Sequence, residues 1–445
     1  MIITRRILKT LLLVIVAAGI TNQLFAQDAR TITIDDAIEL ALEHNMQIRN
    51  AGYELRISES SIRETRSGFL PRVSVDAQYA NNLKLPVIFL PPGSPFGDVL
   101  EVGTTHNMSM NAQVTMPLYN QSLITGLSLA RANEELSQRI KQATRQEIVT
   151  EVQRAYLNVL LTGESLRTLQ FSFDRREANL ELVRSMHEEG MVPEFDLIRT
   201  SVQVENLKPQ LRMAENAHTG SRNYLKILTG VSIDEEIRLL ETLEELYASR
   251  WDEVPPQLLE RNLVRNPDLL RQEAQLQLAR QQLRMSRASY FPSLSLFGVN
   301  TYQAQGDQFR PFDYDWINTA NIGVSLSVPI FSGFERRYQT QQARIRIEQQ
   351  ESQRAFLKES VAAEYENTLD QMFQARESIQ AQKRNLSQAE RGYNIARVGY
   401  ENGTQNLMEV NDAELATTDA RLNYLQSVSD YIRSRLDLEL TLGLP

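Results

Sequence analysis

At 445 residues the chain is long enough for two or three domains, but its 42% hydrophobic and 23% charged content suits long helices with wet surfaces better than one large core. A formal charge of −9 argues against nucleic acid as a partner. The absence of cysteine excludes disulfides, thiolate metal sites, a cysteine nucleophile and a lipoprotein anchor.

Residues 1–26 read as a secretory signal, with Arg5, Arg6 and Lys9 as the basic region and Leu11 to Ile20 as the apolar core. Leu24-Phe25-Ala26 is the expected cleavage site, although Leu24 is larger than the usual small residue. The apolar run is too short for a membrane anchor helix, and no later stretch reaches about eighteen apolar residues. An exported chain of this kind is either soluble in the periplasm or spans a membrane as a β-barrel.

The mature chain reads as two structural repeats, 27–250 and 251–445. The first opens on Thr33-Ile34-Asp35-Asp36, with Asp35 as a helix cap, and an amphipathic helix runs to about Gly68. After Phe69-Leu70-Pro71, Val73, Val75, Ala77 and Tyr79 alternate with polar residues in a strand over 72–80. Prolines and glycines make 85–105 an outer loop. From Asn107 to Met116 the alternation is unbroken, giving a strand over 106–117. A long helix follows over 118–189, roughly 105 Å at 1.5 Å per residue. Its seam runs Ile148, Val152, Ala155, Val159, Leu166, Leu169, Phe173, Leu180, Val183 in steps of three and four, with Thr162 and Arg176 as the polar seam positions. Gly190-Met191-Val192-Pro193 turns the chain into a return helix over 193–229, in which Pro209 should either produce a kink or cost about 3 kcal/mol. A short acidic linker, 231–250, ends the repeat.

The plan then returns: helix 256–289, strand 292–303, outer loop 304–316, strand 317–329, long helix 331–401 and return helix 404–442. Asn266 answers Asn45 and Pro292 answers Pro71; Pro329 answers Pro117 after a shorter loop. Gly403 answers Gly190, and Gly443 answers Gly230. Matched landmarks in order, with the length change confined to a loop, mark an internal repeat. The third strand loses alternation at Phe297-Gly298-Val299, which suggests a bulge at Gly298.

Four strands cannot close a barrel; about eight is the smallest number, and it leaves an interior filled by side chains. Three copies give twelve strands and a lumen. Phe69, Tyr119, Tyr290, Phe291 and Phe331 flank the strands, where they suit either an interfacial belt or ordinary packing at the strand–helix junction.

These landmarks resemble those of the TolC family of outer-membrane efflux proteins. They comprise the opening helix ending at His44-Asn45 or Asn266-Pro267, the entries Phe69-Leu70-Pro71 and Phe291-Pro292, the exits Pro117-Leu118-Tyr119 and Pro329-Ile330-Phe331, and Tyr400-x-x-Gly403. The resemblance covers essentially the whole mature chain. It implies a mostly α fold with a small β part. Long antiparallel coiled-coil helices would form an α-helical barrel in the periplasm, and four β-strands per chain would contribute to a trimeric 12-stranded transmembrane β-barrel in outer-membrane lipid. It further implies a homotrimer that receives small molecules or polypeptide from an inner-membrane efflux pump or secretion transporter through a periplasmic adaptor protein. The rival reading is a periplasmic coiled-coil scaffold or adaptor with no channel, which has no need of four alternating strands.

No catalytic constellation, phosphate-binding loop or metal-binding histidine pair occurs, so neither an enzyme nor a cofactor is expected. By the family's motif, Asp196 and Tyr400 match partners that close the periplasmic gate, and Glu409 and Asp412 match acidic rings in the lumen. The family's best-studied pattern has a basic residue where this chain has Gln405, which argues against a salt-linked gate. Read without the family, Glu409 and Asp412 share one solvated helix face, and Asp196 stabilises the start of the return helix.

Overall fold

A computed structural model describes residues 30–93, 95–310 and 313–444; the expected signal over 1–26 lies outside them. The chain divides into two compact units, one made of Asn50–Ala143 with Pro267–Glu359, the other of the remaining segments. In chain order the elements are β1 (Arg30–Ile32), α1 (Ile34–His44), α2 (Met46–Ser67), β2 (Arg72–Asn81), β3 (Val87–Phe89), β4 (Val99–Glu101), β5 (His106–Asn120), α3 (Gln121–Glu188) and α4 (Glu194–Thr229). There follow β6 (Ile237–Leu239), α5 (Leu243–Leu246), α6 (Pro256–Leu259), α7 (Pro267–Ala288), β7 (Ser293–Gly306), β8 (Ile317–Ser327), α8 (Glu335–Glu401) and α9 (Leu407–Leu442).

The first unit carries an antiparallel sheet in the order β2-β5-β7-β8. Residues paired across an antiparallel sheet share a face. Val73, Val75, Ala77 and Tyr79 lie opposite Val114, Ala112, Met110 and Met108, and Leu296 and Gly298 lie opposite Val324 and Ile322. Ser74, Asp76 and Gln78 lie opposite Gln113, Asn111 and Ser109 on the other face, where Thr301 donates to Asn111 Oδ1 over 2.8 Å. One face is therefore mainly apolar and the other mainly polar. Among the described residues, the strands β2 and β8 each have a free edge.

The expected bulge at Gly298 is absent: β7 pairs without interruption from Ser295 to Gln305 against β5. Phe297 and Val299 instead take the polar face and Gly298 the apolar one. Gly323 makes room for this, since a Cβ there would lie 2.8 Å from the Phe297 ring. The register shift falls between Pro117 and Tyr119. Pro117 has no N–H to give the ladder, so the irregularity sits where pairing is weakest.

Several expected boundaries are corrected. Helix α3 starts at Gln121 rather than 118 because Asn120 Oδ1 accepts from Ser122 N and Leu123 N at 2.9 and 3.2 Å. Helix α8 starts at Glu335 rather than 331, because Gly333 (φ 59°) and Phe334 (φ 67°) are both left-handed. The outer loop at 85–105 contains the hairpin β3–β4. The loop at 304–316 begins later, because β7 runs on to Gly306, and β8 ends at Ser327 rather than 329.

In the second unit, β1 pairs parallel with β6, within the span expected as a plain linker. The cap of α1 is Thr33 rather than Asp35: Thr33 Oγ1 accepts from Asp36 N at 3.2 Å, and Asp36 Oδ2 accepts from Thr33 N at 2.9 Å. Asp35 already lies in the first turn and pairs with Arg250 at 2.8 Å. The opening helix is broken at Asn45, whose backbone is extended and whose Oδ1 accepts from Gln47 N at 2.8 Å. Likewise, the helix expected over 256–289 runs only from Pro267. Before it come α6, an extended Glu260 and a short 3-10 turn, Leu263–Arg265. Helix α4 runs through Pro209 as one element.

The core of this unit gathers Ile32, Val152, Tyr156, Leu157, Leu225, Trp251, Tyr365, Val428 and Tyr431. Buried hydroxyls need partners. Tyr156 donates to Glu241 at 2.6 Å, Tyr365 to the Leu258 carbonyl at 3.0 Å, and Tyr431 to the Trp251 carbonyl at 3.0 Å. Burial, and then the Glu241 carboxylate, push the Tyr156 phenol well above its ordinary range.

Candidate gate at the helical turns

The two long helices end in related turns. At Gly190 (φ 73°) the N–H of Met191 reaches the Met186 carbonyl at 2.8 Å and that of Gly190 reaches His187 at 2.9 Å. At Gly403 (φ 71°) the N–H of Gly403 reaches the Tyr400 carbonyl at 2.9 Å and that of Thr404 reaches Gly399 at 2.8 Å. Each is a helix stop that needs a left-handed residue, and glycine supplies it without a Cβ penalty. The second turn includes Thr404 and Gln405, whose N–H groups both go to the Gly399 carbonyl, so α9 begins at Leu407 and not at 404.

Tyr400 is half-buried, and its hydroxyl contacts Met186 Sδ, 3.6 Å away on α3. Burial raises its phenol pKa, and the Asp196 carboxylate raises it further. The structure thus brings Tyr400 and Asp196 into one electrostatic environment, while the hydroxyl's hydrogen bond goes to sulfur. Asp196 lies in the first turn of α4, where a negative charge meets the positive end of the helix dipole. Gln405 turns inward over its own turn: a Cβ on Gly399 would lie 2.7 Å from Gln405 Oε1. That oxygen is buried with no hydrogen-bond partner.

Glu409 and Asp412 are both exposed on α9. Glu409 also has a structural role. Its backbone N–H donates to Asn406 Oδ1 at 3.0 Å, and its carboxylate accepts from Asn406 N at 3.3 Å. It therefore closes a capping box at the start of α9 rather than lying on a merely solvated face.

A stronger charged site went unread in the sequence. Glu414 is 4% exposed. Its carboxylate accepts from Ser172 Oγ at 2.6 Å and Arg176 Nε at 2.9 Å, and Arg175 stands 3.7 Å away. This joins α9 to α3. Arg176 is one of the two polar seam positions. The other, Thr162, meets Ser221 Oγ at 2.8 Å and His218 Nδ1 at 3.3 Å on α4. Burial, then the Arg222 charge, lower the His218 pKa. Each polar break in the α3 seam is thus matched by polar groups on a different return helix. A cavity of about 220 Å³ lies beside the Glu414 cluster, lined among others by Asn179, Tyr393, Tyr400 and Asn411.

Among the described residues no group of three or more acidic or histidine side chains is arranged to hold a metal ion. None of the described helices is long and apolar enough to cross a membrane. The model of the outer membrane efflux protein family matches the chain twice, over residues 37–231 and 258–444. The outer membrane protein TolC of Vibrio cholerae is 24% identical over 409 residues, spanning 91% of this chain and 89% of that protein. The Campylobacter jejuni CmeC outer membrane channel shares the fold, with a TM-score of 0.75 at 17% identity, covering 92% of this chain and 85% of that one. The structure of CusC superposes with a TM-score of 0.74 at 19% identity, covering 93% and 92%. With the family model spanning most of both halves, the chain belongs to the outer membrane efflux protein family.

Proposed function

We propose that this outer membrane efflux protein works as a homotrimer, a passive exit duct across the periplasm and outer membrane. The observation that carries this is the sheet of the first unit. It has four antiparallel strands, one mainly apolar face and two free edges. Unpaired edges are not tolerated in lipid. In the order β2-β5-β7-β8, the two edge strands run in opposite directions. The β2 edge of one copy therefore meets the β8 edge of the next as another antiparallel pair, and three copies close twelve strands. The apolar face then meets outer-membrane lipid and the polar face lines the lumen. A periplasmic scaffold would have no use for such a sheet.

In this reading the energy comes from outside the chain: an inner-membrane pump or secretion transporter loads small molecules or polypeptide through a periplasmic adaptor. The duct itself does no chemistry. The turns at Gly190 and Gly403 form the periplasmic mouth, held by Tyr400, Asp196 and Gln405 and ringed by Glu409 and Asp412. Residues 27–250 and 251–445 are two copies of one plan, and the twofold match of the family model supports that division.

Membrane fractionation and native mass spectrometry test the assembly. Outer-membrane fractions should yield a trimer in mild detergent; a soluble monomer would overturn the reading.

A further inference from the structure

The hairpin β3–β4 stands apart from the sheet's division of faces. It prolongs the β2–β5 ribbon: Asn82 N donates to the Thr105 carbonyl at 2.8 Å, Val102 N to Pro86 at 2.9 Å and Leu90 N to Asp98 at 2.9 Å. Its cross-strand pairs are Val87 with Glu101, Ile88 with Leu100 and Phe89 with Val99. Apart from Glu101 both faces are therefore apolar, and among the described residues Ile88, Phe89, Val99 and Leu100 are all exposed, Phe89 to 77%. A patch of that kind marks an interaction surface.

Topology says what lies next to it. Asn81 pairs with His106, His106 with Gly306, and Gln303 with Ile317, so one rim of the sheet carries the end of β2 and the start of β8. Where β2 of one copy meets β8 of the next, the hairpin leaving β2 stands over the neighbour's first β8 residues. There Trp316 is 46% exposed and Ile317 58%. Ile317 lies across from Gln303, which shares its face with Ser109 and Gln78. It is an exposed aliphatic side chain on a face that is otherwise mainly polar. Because the hairpin grows from the edge strand, β3 continues the side that faces the neighbour. A lipid surface fits the hairpin less well, because the outer edge of β3 carries backbone groups that hydrocarbon cannot satisfy.

We propose that the hairpin of each copy clasps the Trp316–Ile317 rim of the adjacent copy of this chain, locking the sheet edges together beyond the membrane. The proposal rests on the trimer reading. The chain has no cysteine, so engineered pairs report cleanly. Phe89→Cys combined with Trp316→Cys, treated with a short bismaleimide in outer membranes, should give covalent trimers, while either single variant stays unlinked. Linkage of Phe89→Cys alone would place the hairpins against one another and overturn the clasp. No linkage in the double variant, with native mass spectrometry still reporting a trimer, would overturn the clasp and leave the barrel intact. Loss of the trimer in the unmodified protein would overturn the barrel reading itself. A nitroxide attached to the Phe89→Cys variant and as accessible to oxygen as one attached to Ile322→Cys would assign the hairpin to lipid, again overturning the clasp. Phe89→Asp with Leu100→Asp should lower the temperature at which the trimer dissociates in SDS; an unchanged temperature would count against the proposal.

Discussion

The side-chain amide of Asn45 donates to the backbone carbonyl of Leu228 over 3.0 Å. Asn266 does the same to the Thr441 carbonyl over 2.8 Å. Each asparagine is buried and extended at a helix break, and each acceptor lies in the last turn of a return helix. Just beyond each acceptor a left-handed glycine lets the chain pass close by. A Cβ on Gly230 would lie 2.6 Å from His44 Cβ, and one on Gly443 would fall on the Arg265 carbonyl. Asn266→Ala should cost about 1–3 kcal/mol, because it strands a buried carbonyl. Gly443→Ala should cost at least as much, since it adds a steric clash to left-handed strain of about 1–2 kcal/mol. Thermal unfolding of the detergent-solubilised protein checks both; two neutral substitutions would remove these bonds from any structural role.

The Glu414 cluster makes a separate prediction. Its carboxylate is buried and Arg176 is largely so, while Arg175 is partly open to solvent. Removing one partner of a buried pair leaves the other charge uncompensated, at about 3–5 kcal/mol, whereas replacing both partners by apolar groups is often tolerated. Glu414→Ala should therefore loosen α9 from α3 and raise the open probability in planar bilayers. Arg176→Met combined with Glu414→Leu should recover much of the stability. If Glu414→Ala leaves conductance and melting unchanged, the pair is incidental.

The strands were legible because a period of two survives in a sheet with two unlike faces. Met108 to Met116 alternates strictly, and its partners on β2 match it face for face. The pattern failed at Phe297, where a long-range feature decides: the ring needs the space above Gly323, which no local window contains. The seam of α3 was visible, including its polar breaks at Thr162 and Arg176. Their partners were not, because periodicity says which face is buried but not which helix covers it. Glu414 carries no local signal, because its partners Ser172 and Arg176 lie far from it along the chain. The capping role of Glu409 could have been read from Asn406-x-x-Glu409, since an N-cap residue followed three later by glutamate is a local signature.

The two faces of the sheet should respond differently to charge. Arg placed at Val114 or Val324 should cost about 2–4 kcal/mol near the bilayer midplane and lower the amount of inserted protein. Gln113→Arg or Ser325→Arg should be tolerated, since both positions lie on the polar face. Quantified outer-membrane levels distinguish the sets. Equal losses in both would mean that lipid and lumen have been assigned to the wrong faces.

Phe334 is the one non-glycine residue with positive φ among those described, at 67°. Its ring is 56% exposed and meets Phe331 edge-on at 5.5 Å between centroids. Left-handed strain of about 1–2 kcal/mol is thus retained for a half-exposed side chain. Phe334→Gly should raise the melting temperature in detergent, where relief of strain outweighs the small lost contact. An unchanged or lower value would mean that the ring stabilises the junction more than the strain destabilises it.

The final prediction concerns the acidic residues of α9. Three chains would bring three Glu409 and three Asp412 carboxylates round one axis, where like charges repel and a polyvalent cation is drawn in to bridge them. Glu409 also closes the Asn406 capping box, so the neutral replacement has to keep an acceptor at the same place. Gln does so and Ala does not. Glu409→Gln with Asp412→Asn should therefore leave the trimer folded while weakening both cation preference and block by polyvalent cations in single-channel recordings. Glu409→Ala should do the same electrically but also fray the start of α9, seen as faster amide exchange over residues 407–410. Tyr400→Phe or Asp196→Ala should act differently, raising open probability with selectivity preserved, because Tyr400 touches Met186 on α3 and the Asp196 charge acts on its phenol. If the Gln/Asn double variant keeps wild-type selectivity and cation block, Glu409 is a helix cap only and Asp412 a solvated side chain, and the electrical constriction lies elsewhere in the duct.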